Sequence, residues 1–357
     1  MSLFNRFSKL TLIFTLLVTF AGGFVRMTGS GMGCPDWPKC FGLVIPPTSE
    51  DQLQWEPNTE YDKGQMIIVN EQLLVCQKDL KTTDQQDLSN WKKYEKHDYA
   101  KFNAAHTWTE YINRLCGVLL GIFSLLMLVG AIIDKNGKKI LLSLIVVMLI
   151  SFEGWLGMKV VETVLKPVVI SAHMLVALII LVFMVKIRVN FFEQAIFRMR
   201  NRPKLMALIL VCLFLSVLQI LLGTQVREGM QMASQVISER SEWFSIIATK
   251  FWMDTDTSYL SLFYIHRTSS LLIIALNYWL YNMLKPFFRY NQLRKFSNLL
   301  MYVLIGEVLS GAIMYYINIP GLMQLIHLML SAFMFGLQAY LFIVIRTSRP
   351  MKITPST

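Results

Sequence analysis

Charge is scarce in this chain: Asp, Glu, Lys and Arg make up 16% of the 357 residues, against 54% hydrophobic residues. A soluble domain of this length needs more polar surface than that. The composition therefore excludes an ordinary water-soluble globule and points to the lipid bilayer as the solvent. Histidine and cysteine are also sparse, at five each, so any metal chemistry rests on a few identifiable positions. Acids are the rarer sign of charge, 23 against 34 basic residues, for a net charge of +11. On a soluble protein that surplus would suggest nucleic acid. Here the basic residues gather in alternate short connections, so no nucleic-acid partner is expected and the charge reads as membrane topology.

What is present is a series of apolar runs near the ~20 residues needed to cross a ~30 Å hydrocarbon core. They lie roughly at 10–26, 111–133, 140–160, 167–187, 205–225, 258–284, 298–317 and 321–345. The expected fold is an all-α integral membrane protein whose eight transmembrane helices form two pseudo-symmetric four-helix bundles. Arg6 and Lys9 precede the first span, and Lys135, Lys138 and Lys139 join the second to the third. Arg198, Arg200, Arg202 and Lys204 join the fourth to the fifth, Lys285, Arg289, Arg294 and Lys295 the sixth to the seventh, and Arg346, Arg349 and Lys352 follow the last. By the positive-inside rule both termini are cytoplasmic in the cell's inner (plasma) membrane, and Glu50, Asp51, Glu56, Glu228, Glu239, Asp254 and Asp256 lie outside. The first run starts like a signal peptide but continues through Gly22, Gly23 and Arg26 with no small-residue cleavage site, so it is read as a membrane helix.

The chain also repeats itself. Tyr111-Ile-Asn-Arg114 matches Tyr264-Ile-His-Arg267 at an offset of 266 − 113 = 153, and Glu153, Gly157 and His173 match Glu307, Gly311 and His327 at 327 − 173 = 154. Gly22-Gly-Phe-Val-Arg26 resembles Gly223-Thr-Gln-Val-Arg227 at an offset of 201, the difference being an insertion in the first outer loop. The two halves are residues 1–190, with that loop at about 27–105, and residues 191–357. Each starts on the same side of the membrane, a parallel repeat. Inside the loop, Met66–Val69 and Gln72–Val75 around Asn70-Glu71 resemble a short hairpin. The loop reads equally as a lid, a docking surface or a plain solvated segment.

His173, His266 and His327 each lie about 6 to 8 residues inside spans entered from outside, hence in one layer ~10 Å below the boundary at ~1.5 Å per residue. A lone histidine on an apolar helix is usually just a satisfied polar group, but an ionisable side chain at such depth marks function by default. His266 and His327 suit two opposed imidazoles on one haem iron. Zinc fits less well, because the layer lacks the cysteine and carboxylate ligands of a tetrahedral site. The equivalent pair in the first half is Asn113 and His173, and an amide is a poor iron ligand. One half would thus hold a saturated haem for electron transfer, and the other a haem with one protein ligand and an open position for dioxygen. Alternatively His106, two turns before Asn113, takes over as ligand.

Glu110 is one turn from Asn113 and within reach of the same pocket, where it could move protons, with His106 as its partner at i−4; anchoring of the helix is the competing reading. Glu153 and Glu307 are expected to hydrogen-bond within the bundle. Arg26, Arg114, Arg227 and Arg267 recur in matched pairs near the outer ends of spans and suit haem propionates or snorkelling to lipid phosphate. Cys34 and Cys40 flank a short turn outside the membrane, where a bridge can persist and where a dithiol could equally relay electrons.

Together these phrases resemble the haem A synthases of bacteria and mitochondria over nearly the whole chain. They are Arg26-Met-Thr-Gly-Ser-Gly-Met-Gly-Cys-Pro-Asp-Trp-Pro-Lys-Cys40, Glu110-Tyr-Ile-Asn-Arg114, Gly223-Thr-Gln-Val-Arg-Glu228, His266-Arg267 and the late His327. The resemblance implies oxygen-dependent oxidation of the C8 methyl of haem O to the formyl group of haem A by successive hydroxylations, in service of terminal oxidases. It implies haem b on His266 and His327, substrate haem O facing His173, Glu110 as the essential carboxylate, and Cys34 with Cys40 as the family's outer-loop pair. A haem O synthase and an electron donor that the sequence does not identify are the implied partners. The departure is Asn113, where the family pattern Glu-Tyr-x-His-Arg has histidine; the expectation is that His173 alone holds the substrate iron and dioxygen takes the other side. The rival readings are a membrane cytochrome b that passes electrons from quinol without making a haem product, and a haem carrier for oxidase assembly.

Overall fold

The computed structural model describes residues 2–95, 102–192, 202–236, 258–317 and 320–348. Arg198, Arg200, Glu239, Asp254, Asp256, Arg349 and Lys352 lie outside these segments, as does the side chain of Glu228. Among the described residues there are eight α-helices: α1 Leu3–Thr28, α2 Ala104–Ile133, α3 Gly137–Glu162, α4 Pro167–Phe192, α5 Arg202–Val236, α6 Ser258–Leu284, α7 Asn291–Tyr316 and α8 Gly321–Thr347. Seven of them, α1–α5, α7 and α8, are long and apolar enough over their described residues to cross a membrane. The protein is thus a mostly helical, multi-pass membrane protein. Helix α6 also has the length to cross, at 27 residues.

Local sequence sets the helix starts. Ser2 accepts a hydrogen bond from Asn5 N at the head of α1, Asn103 accepts from His106 N at 3.2 Å at the head of α2, and Asn136 accepts from Lys138 N and Lys139 N at the head of α3. Each side-chain oxygen satisfies donors that have no partner inside the helix. The Asn103 cap places the start of α2 ahead of its apolar run, so His106 and Glu110 belong to the helix.

Helix α1 packs on α2 and α4, α2 on α3, and α3 on α4; α5 packs on α6 and α8, α6 on α7, and α7 on α8. Helices α4 and α1 meet α8, and α4 meets α5, joining the two sets. One core gathers Phe4, Met127, Val146, Met184 and Ile187; a second gathers Ile209, Leu280, Leu300, Leu341 and Val344. Lipid is as apolar as these side chains, so close packing rather than expulsion from water holds helices together. Buried hydroxyls are satisfied within their helices, as where Thr15 donates to the Thr11 carbonyl at 2.8 Å. Large apolar side chains point outward instead, Leu271 at 68% exposure and Met148 at 65%, which suits hydrocarbon and not water.

The described residues between α1 and α2 carry five strands: β1 Glu60–Tyr61, β2 Met66–Val69, β3 Gln72–Cys76, β4 Leu80–Lys81 and β5 Trp91–Lys93. Strands β2 and β3 pair antiparallel with Met66 opposite Val75 and Val69 opposite Gln72, and β5 pairs with β3. Asn70 and Glu71 both have positive φ, 49° and 59°, the two-residue hairpin turn whose twist matches the flanking strands. Phe41, Leu53 and Met66 form a core with Cys34 and Cys40, against which Phe102 and Tyr111 pack. This small layer is thereby seated on the amino-terminal end of α2.

Candidate functional site

Four glycines place the ligand candidates. A Cβ built on Gly223 of α5 would lie 3.2 Å from the Cε1 of His266 on α6, and one on Gly311 of α7 would lie 3.5 Å from the Cε1 of His327 on α8. In the other set of helices a Cβ on Gly157 of α3 would lie 3.6 Å from the Cε1 of His173 on α4, and one on Gly22 of α1 would lie 3.9 Å from the Oδ1 of Asn113 on α2. Every candidate ligand therefore faces bare backbone of the helix before it, at corresponding positions in the two sets.

The rings of His266 and His327 have centroids 6.4 Å apart. Two metal–imidazole bonds of roughly 2 Å each, end to end, leave opposed ring centres about 6 Å apart. The separation therefore fits a single iron between the two imidazoles. His266 Nδ1 is buried with no hydrogen-bond partner, as are His173 Nδ1 and Asn113 Oδ1. Unpaired buried polar atoms are costly unless something else engages them. His327 Nδ1 is engaged: it lies 2.9 Å from Ser310 Oγ and 2.9 Å from Glu307 Oε2. His173 Nδ1 lies 3.3 Å from Glu153 Oε1, without hydrogen-bond alignment. Among the described residues, no group of three or more His, Cys, Asp and Glu side chains is placed to hold a metal ion; a haem needs at most two.

Glu110 is almost fully enclosed near the amino-terminal end of α2. Its Oε2 accepts from the backbone N–H of Cys34 at 2.8 Å, and its Oε1 accepts from Arg114 Nη2 at 2.5 Å. Arg114 Nη1 donates to the carbonyls of Asp36 at 2.7 Å and Lys39 at 2.9 Å. The Cys34–Cys40 disulfide closes the loop that carries these carbonyls. Within it the Asp36 carboxylate accepts from the N–H groups of Phe41 and Gly42. Burial raises the Asp36 carboxyl above its ordinary value, outweighing the opposite pull of those two N–H donors and of Arg114. Tyr94 donates to the Pro35 carbonyl at 2.6 Å, and burial pushes its phenol up to about 12, keeping it a donor.

The remaining candidates are dispersed. The His106 backbone packs under Gly33, where a Cβ would come within 2.5 Å of the His106 carbonyl oxygen. Arg227 donates to the carbonyl of Arg26 at 3.1 Å, tying the end of α1 to α5, and Arg267 lies 4.4 Å over the ring of Tyr315. Sequence reasoning overlooked the role of Gly22, Gly157, Gly223 and Gly311 as bare faces, although each stood in the matched segments. It also overlooked Ser310 and Ser331, which mark where the halves differ. A buried chain from Ser216 through Gln338 to Asn277 gave no sequence signal at all.

The family model described as Cytochrome oxidase assembly protein, COX15-CtaA, matches residues 5–72 and 74–339. A Shewanella oneidensis protein named Heme A synthase is 29% identical over 217 residues, 60% of this chain and 54% of the relative. A Bartonella henselae protein of the same name is 27% identical over 54% of this chain and 48% of its own length. This chain thus spans about half the length of these two relatives. A Wolbachia pipientis protein, also named Heme A synthase, is 24% identical over 94% of this chain and 90% of the relative. No solved structure matches the chain.

Proposed function

We propose, from the premise that this chain belongs to the COX15-CtaA family of cytochrome oxidase assembly proteins, that it is a haem A synthase. Its substrate would be haem O, whose C8 methyl is oxidised with dioxygen to the formyl group of haem A by successive hydroxylations. The observation that carries this reading is the inequality of two corresponding positions. His266 and His327 can both ligate one iron, whereas their counterparts are Asn113 and His173.

On this reading α5–α8 with residues 191–357 form the haem b half, and α1–α4 with residues 1–190 the substrate half, as two four-helix bundles of one pseudo-symmetric membrane domain. Helix α6 is the eighth span, both termini are cytoplasmic in the inner membrane, and the haem sites face outward. His266 and His327 hold haem b, which when bound supplies one-electron transfer to the substrate site. His173 binds the substrate haem from one face. Asn113 presents a weak ligand on the other and leaves that side of the pocket open to dioxygen. Glu110 moves protons at the mouth of the pocket. Arg26, Arg227 and Arg267 supply positive charge at the outer ends of helices for the carboxylates of a haem, while Arg114 spends its donors on Glu110 and the disulfide loop. Haem O would come from a haem O synthase, and the electrons from a separate donor.

Mass spectrometry of haems extracted from the purified protein, expressed in cells that make haem O, tests the reading. Haem B together with haem O, hydroxylated haem O or haem A is the expected result. Haem B alone despite available haem O would make the protein an electron-transferring cytochrome instead, and no haem at all would overturn the ligand assignment.

A further inference from the structure

The histidines on α4 and α8 correspond, yet their rings are held very differently. Around His327 the hydrogen bonds close. Ser310 Oγ donates to the Glu307 carbonyl at 3.0 Å and lies 2.9 Å from His327 Nδ1. A hydroxyl has one proton. With that proton committed to the carbonyl, Ser310 accepts the Nδ1–H of the ring, which fixes the tautomer and leaves the lone pair on Nε2. Glu307 Oε2 stands 2.9 Å from the same Nδ1, though it is not aligned as a full hydrogen bond. Ser331 Oγ shares its one proton between the other carboxylate oxygen of Glu307 and the His327 carbonyl at 2.9 Å. Ser331 thereby ties the carboxylate to the helix of the histidine it faces.

Around His173 only the carboxylate is left. Glu153 Oε1 lies 3.3 Å from Nδ1, and both Glu153 Oε2 and His173 Nδ1 are buried without a hydrogen bond. At the offset of 327 − 173 = 154, the counterpart of Ser310 is Leu156 (310 − 154) and that of Ser331 is Ala177 (331 − 154). Both hydroxyls are missing, so no hydroxyl at these positions holds the ring or the carboxylate.

We infer that Ser310 and Ser331, acting through Glu307, are positioning residues that make His327 a rigid ligand and so retain the resident haem. Leu156 and Ala177 leave His173 a yielding ligand, suited to a haem that must enter as substrate and leave as product. The inference rests on the haem reading above. Its physical basis is that partners of a ligating imidazole set its orientation and basicity, and losing one typically costs about 10- to 100-fold in affinity.

The test uses full-length protein carrying haem b, with two readouts that a merely structural role would not move: the rate of haem transfer to excess apomyoglobin, and the low-spin electron paramagnetic resonance g-values. Ser310→Ala, Ser331→Ala and Glu307→Gln are each expected to release haem b about 10-fold faster or more, with shifted g-values, and Ser310→Thr, which keeps the hydroxyl, to behave as wild type. If Ser310→Ala does not load haem, wild-type behaviour of Ser310→Thr still supports the inference, and equal failure of Ser310→Thr overturns it. His327→Ala separates the two levels. If it abolishes the low-spin signal while the serine variants keep wild-type rates and g-values, the inference falls and the haem reading stands. If His327→Ala keeps the wild-type signal, both fall.

Discussion

Cys34 and Glu110 are joined, 76 residues apart in sequence, by a 2.8 Å hydrogen bond from the Cys34 backbone N–H to Glu110 Oε2. The carboxylate is therefore a shared part of the disulfide loop and of α2. Its second oxygen is taken by Arg114, whose other donors hold the loop carbonyls. Loop, carboxylate and guanidinium form one closed unit at the amino-terminal end of α2.

Replacing Glu110 by Gln keeps the shape but halves the acceptors. Either Cys34 N–H or Arg114 then loses its partner. Conversion of haem O should stall while haem b stays bound, read as haem composition by chromatography and mass spectrometry beside a reduced-minus-oxidised spectrum. Full conversion in this variant would remove Glu110 from the reaction.

Arg114→Ala leaves a buried carboxylate without its cation: the side chains are 13% and 5% exposed. Removing one partner of such a pair costs about 3–5 kcal/mol. A clear fall in thermal midpoint in detergent is expected, with partial recovery when Glu110→Gln is added. An unchanged midpoint in the single variant would mean that the pair contributes nothing to stability.

Opening the disulfide should loosen the same unit. The bridge spans a sequence separation of six, for which the loop-entropy argument gives about 2 kcal/mol. The Cys34→Ser, Cys40→Ser double variant should unfold at lower temperature and convert haem O more slowly, since the Cys34 N–H that positions Glu110 rides on the loop. Wild-type turnover would reduce the bridge to a purely structural clamp.

Asn113 offers a test of coordination. If His173 alone holds the substrate iron, Asn113→Ala leaves the substrate haem bound with an unchanged high-spin signal, and Asn113→His converts that signal to low spin. Loss of ligation in Asn113→Ala, or a six-coordinate wild-type spectrum that His106→Ala abolishes, would sink the one-histidine scheme.

Much of the scaffold was legible because hydropathy has a length and a period. The runs at 258–284 and 321–345 coincide with α6 and with most of α8, and the hairpin at Asn70-Glu71 follows from local turn chemistry. The start of α2 was not, because His106, Thr107 and Thr109 are too polar for a hydropathy window and the helix is set by the Asn103 cap and by packing under the loop. At the site, His173 with His327 and Glu153 with Glu307 stood out by recurring at a fixed offset, and His266 by its place in the matched Tyr264-Ile-His-Arg267 phrase. The engagement of Arg114 with Asp36 and Lys39 did not, because a sequence does not disclose which way a long side chain turns. Ser310 and Ser331 stayed hidden for a different reason: a search for what the halves share passes over what they do not.

The four bare backbone faces at Gly22, Gly157, Gly223 and Gly311 separate two things that a duplicated site might have lost together. One is the atom offered to a guest, which differs between the halves: an imidazole at His266, an amide at Asn113. The other is the bare glycine backbone that the atom faces, which is the same in both. On the proposed reading, one pattern of bare backbone serves two fittings, a resident haem beside Gly223 and Gly311 and a passing one beside Gly22 and Gly157.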